Sequence, residues 1–375
     1  MKKIMIIAGE ASGDLHGAHL VRAMRALDPH LDFFGVGGNA LRQAGVHLMV
    51  DNSQIAVVGI SEAFLKFKII LSALRIVKKG LNRLRPALLI LIDFPDFNLH
   101  VATVAKKLGI PVMYYISPQV WAWRTGRVKK IKNVVDHMVV IFPFEVDFYK
   151  KSNVPVTFVG HPLLDSMKYR TSGEKKKNLK ADNLLIGLLP GSRNGEITRH
   201  LPTMVQAADI LSEQLSGIRF AIPVASTVDT TLVEAIVEGG TSRPLILRDG
   251  LRDVLDEAAL VITASGTVTL EAAIAGTPMI IVYKVSPLSY WLGKRLIRVK
   301  HIGMANLVAE RPIVPELIQH EASAENIASR ALQMLRDEKG LAEIRCQLRH
   351  VALSLGAPGA SKRTAEVAIG LLAGH

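Results

Sequence analysis

A glycine turn carrying polar residues follows the first apolar run of the chain. The run Lys3–Ala8 leads into Gly9-Glu10-Ala11-Ser12-Gly13-Asp14, where glycine permits a tight turn and a close approach of the backbone to a ligand. The spacing is not the GxGxxG of a dinucleotide site. Capping of the next helix would explain Ser12 or Asp14, but not Glu10 and Ser12 together. We therefore predict that Glu10 and Ser12 belong to a catalytic site.

A carboxylate stands at the end of a second apolar run. Asp93 directly follows Leu88–Ile92. Ligands of parallel α/β sheets bind beyond the carboxyl ends of the strands, where a carboxylate can serve as a general base. The alternative role is a helix cap, which suits Asp96 or Asn98 better because they lie closer to the next helical pattern. We predict that Asp93 is the base.

Two turns in the second half of the chain have the composition of a diphosphate site. Gly191, Ser192 and Arg193 follow the apolar run Leu184–Leu189 and open a helical pattern. Backbone N–H groups at a helix start and the forked donors of an arginine both suit phosphate oxygens. This turn is not a Walker A loop, since GxxxxGK[ST] is absent.

The second of these turns contains small hydroxyl residues. Ser265, Gly266 and Thr267 follow the apolar run at 260–263, and Glu271 lies one turn into the helix that we expect to follow. The positive end of that helix dipole would favour a bound anion. Glu271 could accept hydrogen bonds from a ribose, or it could stabilise the first helical turn without a ligand. Both roles of Glu271 stay open at this point.

Aromatic and basic residues mark three further segments. Two of the three tryptophans, Trp121 and Trp123, lie in the run at 117–124, where they could stack on a sugar or base, or pack in the core. The stretch 60–79 mixes apolar side chains with lysines, a pattern typical of a helix in an anionic lipid surface, although an ordinary half-buried helix also fits. A similar mixture begins at Tyr290. We predict membrane contacts by Phe64, Leu65, Phe67 and Leu71.

Composition limits the class of protein. The chain has 375 residues, enough for two domains, and a net charge of +13, which favours anionic partners such as nucleic acid, lipid or phosphorylated substrates. Its single cysteine, Cys346, rules out an internal disulfide, and we expect a packed thiol in a C-terminal helix. The apolar run after Met1 is too short for a signal peptide and reads as a strand. No run is long enough to predict a transmembrane helix.

Apolar runs alternate with helical patterns in both halves, which predicts two α/β domains with parallel sheets, each Rossmann-like, facing across a cleft. We expect the N-terminal domain at 1–170, a polar linker at 171–183, the second domain at 184–340 and C-terminal helices at 341–375 that pack on the first domain or on a partner subunit. Predicted strands lie at 3–8, 31–36, 88–92, 112–116, 138–141, 156–159, 184–189, 219–224, 245–247, 260–263 and 279–282. Predicted helices include 15–27, 99–108, 128–135, 324–336, 341–355 and 362–372.

Seven stretches, in this order, resemble the lipid-A-disaccharide synthase family over nearly the whole chain. They are GEASGDLHG at 9–17, IDFPDFN at 92–98, YISPQVWAWR at 115–124, FVGHPLLD at 158–165, LLPGSRNGEI at 188–197, ASGTVTLEAAIAGTPMIIVYK at 264–284 and MANLVAERPIVPELIQ at 304–319. The IDFPDFN, SPQVWAWR and MAN…PELIQ stretches are the most specific. The resemblance implies a GT-B-like fold, a family 19 glycosyltransferase, and no metal or other cofactor.

The resemblance also implies a reaction. The donor would be UDP-2,3-diacylglucosamine and the acceptor lipid X, its 1-phosphorylated hydrolysis product. The α-linked donor would give a β-1,6-linked disaccharide 1-phosphate and UDP, so the anomeric centre would be inverted. The enzyme would be peripheral on the cytoplasmic side of the inner membrane, with a homodimer left open. The first domain would face acceptor and membrane, and the second would bind the nucleotide sugar.

The resemblance assigns roles to individual residues. Asp93 matches the family's proposed base, and Glu10 and Ser12 match polar residues of its catalytic site. Arg193 would meet the donor phosphates, in the turn of Gly191 and Ser192. The other residues on the donor side would be Ser265, Gly266, Thr267, Glu271 and Asn306.

Two rivals from other classes remain at this stage. A UDP-sugar epimerase with the same architecture would share both donor turns, but it would not need the helix near 64–79. A basic nucleic-acid-binding protein would explain the charge of +13. It would not explain polar residues gathered at strand ends, and no nucleic-acid motif is recognisable.

Overall fold

Two parallel sheets organise the chain, one in each of two units. The computed structural model describes residues 1–52, 63–122, 126–166, 184–286 and 300–374, with side chains of the helix that begins at Ala63 described from Lys68 onward. The first unit comprises 1–169 and 355–375, and the second comprises 170–354. The linker expected at 171–183 and the segment around Tyr290 lie outside the described residues.

The sheet of the first unit has seven parallel strands in the order β3-β2-β1-β4-β5-β6-β7. Its central strands are continuous apolar runs because helices cover both faces, and β4 is buried at every residue. The strands are β1 (Lys3–Ala8), β2 (Asp32–Gly37), β3 (His47–Asp51), β4 (Leu88–Ile92), β5 (Val112–Tyr115), β6 (His137–Val140) and β7 (Val156–Phe158).

The helices of the first unit include the last helix of the chain, which packs on α1. A hydrogen bond of 2.7 Å from Lys2 Nζ to the carbonyl oxygen of Leu372 ties the two ends of the chain together. The helices are α1 (Ala11–Leu27), α2 (Asn39–Gln43), α3 (Ala63–Leu84), α4 (Pro95–Lys107), α5 (Arg127–Val134), α6 (Phe144–Lys150), α7 (Leu163–Ser166) and, at the end of the chain, α15 (Ala360–Ala373).

The second unit repeats the plan with six parallel strands in the order β10-β9-β8-β11-β12-β13. The strands are β8 (Leu184–Leu189), β9 (Ile218–Val224), β10 (Leu245–Arg248), β11 (Leu260–Ala264), β12 (Met279–Tyr283) and β13 (Glu316–Ile318). The helices are α8 (Asn194–Gln214), α9 (Thr230–Glu238), α10 (Leu251–Glu257), α11 (Val268–Ala275), α12 (Met304–Ala309), α13 (Ala324–Arg336) and α14 (Glu338–Ser354).

The predicted α/β architecture is confirmed, and the bounds of β1, β4, β8 and α13 are as predicted. Sequence reasoning missed β3 and β13, which are edge strands with at most one buried residue and whose apolar runs, at 48–50 and 317–318, are too short to indicate a strand. The expectation for Cys346 is wrong, because the residue is exposed on α14. Among the described helices, none combines the length and apolar character needed to cross a bilayer.

Both sheets reverse their strand order at one place, between β1 and β4 in the first unit and between β8 and β11 in the second. The chain leaves the two adjacent strands toward opposite faces of the sheet there, which opens a crevice beyond their carboxyl ends. Ala8 of β1 lies opposite Ile92 of β4 in the ladder, and Leu189 of β8 lies opposite Thr263 of β11. Except for Asn306, which lies on α12, the predicted catalytic and donor-side residues follow these four strands.

Candidate active site

Asp93 is held at the end of β4 in an unusual backbone conformation. Its φ is 45°, and the next residue, Phe94, has φ 49° and ψ 57°, so two consecutive residues other than glycine lie in the left-handed region. The carbonyl oxygen of Asp93 accepts hydrogen bonds of 2.5 Å from the Tyr114 hydroxyl and of 2.6 Å from Asn98 Nδ2. Because α4 begins at Pro95 with Phe94 as N-cap, Asp93 is not the cap of this helix.

The surroundings of Asp93 favour a carboxyl group that holds its proton more tightly than usual. Burial is the main cause and the negative charge of Glu10 adds to it, while a hydrogen bond from the Phe94 backbone works in the opposite direction; together they raise the pKa of Asp93 to about 6. A carboxylate with a raised pKa is a stronger base. A general base works best when its pKa lies near the working pH, and the pKa of Asp93 is shifted toward that value. The structure thus brings Glu10 and Asp93 together.

The polar residues of the glycine turn after β1 differ in exposure: Glu10 and Ser12 are exposed, and Asp14 is buried. Glu10 is the N-cap of α1 and is exposed, with no hydrogen bond from its side chain to the helix, and Ser12 is exposed in the first turn. Asp14 is buried, and its carboxylate accepts hydrogen bonds from the backbone of Gly38, at 2.6 Å, and Ala40, at 2.9 Å. Asp14 therefore fixes the loop before α2, whereas Glu10 and Ser12 stay accessible.

Gly9 makes room for the residue that follows Asp93. A Cβ atom at Gly9 would lie 2.4 Å from the ring of Phe94, a separation that real Cβ atoms essentially never show. The same ring stacks on Phe97 with a centroid separation of 5.2 Å. Close packing of β1 and β4 at their carboxyl ends therefore requires glycine at this position.

Trp121 is held in the first unit by a hydrogen bond to the buried carboxyl group of Glu145, a residue that sequence reasoning missed. Its Nε1 donates to Glu145 Oε1 at 3.1 Å, and its ring meets Phe144 edge to face. Glu145 is 1% exposed and also accepts from the backbone of Phe142 at 3.1 Å. Burial raises its pKa to about 7, although its hydrogen bonds act against this shift. Trp123 lies outside the described residues.

In the second unit, Arg193 begins α8 as its N-cap. Its side chain is 79% exposed and makes one long ion pair, 3.5 Å from Nη1 to Glu196 Oε1. Gly191 has φ 125°, and a Cβ there would meet Glu196 at 2.3 Å, so only glycine fits the turn. The backbone N–H of Ser192 donates to Glu196 Oε2 at 2.8 Å. The turn is thus pre-shaped, with an exposed guanidinium at its end.

The turn after β11 is also ordered by its small polar residues. Ser265 Oγ donates to the carbonyl oxygen of Ile302 at 2.9 Å, and Thr269 Oγ1 donates to that of Gly266 at 2.8 Å. Thr267 is the N-cap of α11 but makes no capping bond through its side chain. Burial raises the pKa of Glu271, which is half-buried in the first turn of that helix.

Asn306 is fully buried, and all of its hydrogen-bonding capacity is used inside the unit. Nδ2 donates to the carbonyl oxygen of Val314 and to Glu316 Oε1, each at 2.8 Å. Oδ1 accepts from the backbone N–H of Ile313 at 2.9 Å and of Val314 at 3.0 Å. Glu316 in turn accepts from the backbone of Gly303 at 3.0 Å, at the start of α12. Asn306 therefore organises this loop, and its part on the donor side stays a prediction.

His200, which sequence reasoning did not single out, supports the turn before Gly191. Its Nδ1 lies 3.2 Å from the carbonyl oxygen of Pro190 and 3.0 Å from that of Glu196, so Nδ1 carries the proton. Its Nε2 accepts from the backbone N–H of Lys284 at 3.3 Å. Burial lowers the pKa of His200 and so favours the neutral ring that this arrangement needs. The histidine joins the end of β8 to the end of β12.

The residues predicted to touch a membrane fall on α3. The side chains of Phe64, Leu65 and Phe67 lie outside those that the structure describes, and Leu71 is half-buried. Farther along, Ala73, Val77 and Leu81 are buried against the sheet. Basic side chains are exposed along the same helix, namely Lys68, Arg75, Lys78, Lys79 and Arg83. The described part of α3 is therefore packed on one face and cationic on the other.

Comparisons with known proteins agree on a fold. The chain is similar to the crystal structure of a putative UDP-N-acetylglucosamine 2-epimerase from Listeria monocytogenes, with a TM-score of 0.64 at 14% identity, over 100% of this chain and 97% of the other. MurG from Acinetobacter baumannii gives a TM-score of 0.59 at 16% identity, over 98% and 99% of the two chains. The glycotransferase of kitacinnamycin gives 0.65 at 15%, over 99% of both. These likenesses show the GT-B-like fold and nothing finer.

Sequence comparisons identify the family. A family model described as lipid-A-disaccharide synthetase matches residues 4–368. Lipid-A-disaccharide synthases from Geobacter metallireducens and Trichlorobacter lovleyi are 48% and 47% identical over 374 residues, which is 99% of this chain and 97% and 98% of theirs. One from Coxiella burnetii is 41% identical over 99% of both chains. The rival interpretations as an epimerase or a nucleic-acid-binding protein are thereby set aside. The chain belongs to the lipid-A-disaccharide synthase family and is a glycosyltransferase of GT-B-like fold.

Proposed function

We propose that this enzyme transfers 2,3-diacylglucosamine from UDP-2,3-diacylglucosamine to the 6-hydroxyl of lipid X with inversion. The acceptor oxygen attacks the anomeric carbon, the bond from that carbon to the diphosphate breaks, and UDP leaves with the bonding electron pair. The proton of the hydroxyl passes to the enzyme. The α-linked donor thus gives the β-1,6-linked disaccharide 1-phosphate. Family membership supports the reaction class, and the surroundings of Asp93 support the mechanism.

Asp93 is the proposed base, and its position carries the proposal. It follows β4 at the point where the sheet reverses its strand order, the usual place of ligands in such sheets. Its pKa of about 6 leaves the carboxylate ionised at neutral pH and still a better proton acceptor than an ordinary aspartate. Glu10 contributes to that raised pKa, and Ser12, two residues after Glu10, is exposed in the first turn of α1.

The second unit is proposed to bind the donor. Negative charge grows on the diphosphate as UDP leaves, and positive groups placed for that charge lower the barrier. The exposed guanidinium of Arg193 and the start of α8 suit this task. Ser265, Gly266, Thr267 and Glu271 are proposed to meet the nucleotide, whereas Asn306 would act by holding the loop around α12. The proposed reaction uses no cofactor.

Contact with a membrane is proposed for α3, because both proposed substrates carry acyl chains. Exposed lysines and arginines along the helix suit anionic head groups. Phe64, Leu65, Phe67 and Leu71 would enter the lipid at the first turns of the helix. The enzyme would then be peripheral, on the cytoplasmic side of the inner membrane.

The test is an assay of the full chain with UDP-2,3-diacylglucosamine and lipid X in detergent micelles. We expect equal amounts of UDP and disaccharide 1-phosphate, and a β configuration at the new bond by proton coupling. Lipid X with its 6-hydroxyl methylated is the matched control, since it keeps the acyl chains and phosphate but cannot attack. UDP release that is independent of the 6-hydroxyl, or an α-linked product, would overturn the proposal.

A further inference from the structure

Two buried polar side chains converge on the backbone of Asp93. Tyr114 and Asn98 are both fully buried, and each donates to the carbonyl oxygen of Asp93, at 2.5 Å and 2.6 Å. Asn98 Nδ2 also lies 3.2 Å from the carbonyl oxygen of Ile92. The carbonyl oxygen of Asp93 thus receives one hydrogen bond from the neighbouring strand β5, which carries Tyr114, and one from α4, which carries Asn98.

Packing alone does not explain why polar side chains occupy these two buried positions. Phenylalanine or leucine would fill similar space, and a buried polar group is unfavourable unless it is hydrogen-bonded. Asn98 Oδ1 is buried and, among the described residues, has no hydrogen-bond partner. The amide of Asn98 is therefore kept at the expense of one unsatisfied oxygen, which indicates that its N–H donors matter.

The conformation that these bonds hold is strained. Left-handed backbone is unfavourable for aspartate and more so for phenylalanine, and Asp93 and Phe94 adopt it in succession. Such strain persists only where the surrounding structure fixes it, and it is concentrated at functional sites. The ring of Phe94, packed against Gly9 and Phe97, fixes the second of the two residues. Tyr114 and Asn98 fix the first.

We propose that Tyr114 and Asn98 are positioning residues that hold Asp93 in its left-handed conformation and so aim its carboxylate at the acceptor hydroxyl. Neither side chain touches a substrate, because both are buried. The proposal rests on the proposed role of Asp93 as the base. Its consequence is that loss of either bond misplaces the base without disturbing the donor site, which lies on the other sheet.

Tyr114→Phe is the direct test, and Tyr115→Phe is its matched control. The two tyrosines are adjacent in β5 and equally buried, but the Tyr115 side chain is directed at Ser361 and Thr364 of α15, on the face of the sheet opposite its neighbour. Tyr114→Phe should lower kcat by about tenfold to a hundredfold, as misplacement of a catalytic group by a fraction of an ångström to 1 Å does. The KM for the donor should stay within about twofold, and Tyr115→Phe should leave both constants nearly unchanged.

The pH profile and a double variant separate positioning from a general loss of structure. A base released from its site becomes better hydrated, so the acidic limb of kcat/KM should move to lower pH in Tyr114→Phe. In an Asp93→Asn background, Tyr114→Phe should have no further effect on kcat, because it acts through Asp93. Equal losses in both backgrounds, or equal losses in Tyr114→Phe and Tyr115→Phe, would overturn the inference. If Asp93→Asn alone is silent, the proposed base is wrong instead.

Discussion

Replacing Asp93 by asparagine should lower catalysis and raise stability in the same molecule. Asparagine keeps the shape of aspartate but accepts no proton, so turnover should fall by about a hundredfold to ten-thousandfold, the range for loss of a general base. Burial and the charge of Glu10 disfavour the ionised carboxylate in the folded protein. Removal of that charge therefore stabilises the fold wherever Asp93 would be ionised.

The gain in stability can be worked from the pKa. The pKa of Asp93 rises from 3.8 to about 6 on folding, and each pKa unit corresponds to about 1.4 kcal/mol. The ionised carboxylate thus lowers the free energy of unfolding by at most about 3 kcal/mol, and the residual exposure of the group reduces this to roughly 1–2 kcal/mol. In a unit of about 190 residues, each kcal/mol gained in unfolding free energy should raise Tm by roughly 2–4 °C.

The sign of the effect fixes its pH dependence. Below pH 3.8 the carboxyl group is protonated in the folded and unfolded chains alike, so it contributes nothing. Between 3.8 and about 6 the unfolded chain ionises first, and the wild-type protein loses stability as the pH rises. Above about 6 the loss is complete. The difference between Asp93→Asn and wild type should therefore grow over this interval and then stay constant.

Urea unfolding across this pH range, together with turnover per folded molecule, provides the assay. A helix-capping role for Asp93 predicts the opposite pair of results, with early melting and only a mild kinetic defect. An Asp93→Asn enzyme that is less stable than wild type at neutral pH and turns over normally would refute the reasoning. Normal turnover alone would make Glu10, at the end of the adjacent strand, the next candidate for the base.

Three further predictions concern other parts of the molecule. Arg193→Ala should cost about tenfold to a thousandfold in kcat/KM by removing charge stabilisation of departing UDP, and a value near wild type would contradict its role. Glu145→Gln should flatten the loss of unfolding free energy that burial imposes on wild type as the pH rises from 4.5 to about 7, which denaturant titration at several pH values measures. An unchanged slope would contradict this. Replacing four residues of α3 by Ser or Gln should weaken co-sedimentation with anionic vesicles while the fold is kept. The control, Leu353→Gln, changes a residue that is 60% exposed in the second unit and should not weaken it. Equal binding of both variants would exclude α3 as the anchor. The four positions are Phe64, Leu65, Phe67 and Leu71.

The sequence was sufficient to predict residues at strand ends, because an apolar run shows where a buried strand stops. Asp93 and Arg193 could be placed for that reason, each directly beyond a continuous apolar strand or its glycine turn. It was not sufficient for residues that act on the backbone. Tyr114 and Asn98 look like ordinary core and cap residues in the sequence, and their common target, one carbonyl oxygen, exists only after β4 and β5 have paired.

Residue type also left some roles undecided that tertiary contacts decide. Trp121 could stack on a ligand or pack in the core, and its hydrogen bond to the buried Glu145 accounts for its place. Asp14 looked like a cap of α1, yet it joins the start of α2 instead, 24 residues away along the chain. In both cases the partner is distant in sequence, so neither spacing nor periodicity marks it.

The two sheets have the same order around their reversal points, so topology alone does not assign a task to either unit. The residues that follow the strands do. Beyond β1 and β4 stand two carboxylates, Glu10 and Asp93, whose mutual repulsion favours uptake of a proton. Beyond β8 and β11 stand an exposed arginine and hydroxyl residues at two helix starts, an arrangement that attracts phosphate, and the carboxylate of Glu196 in the first of these turns is paired with Arg193 and with the backbone N–H of Ser192. A base on the first sheet and a leaving-group site on the second are therefore the assignment that electrostatics favours, and exchanging them would set carboxylates against a diphosphate.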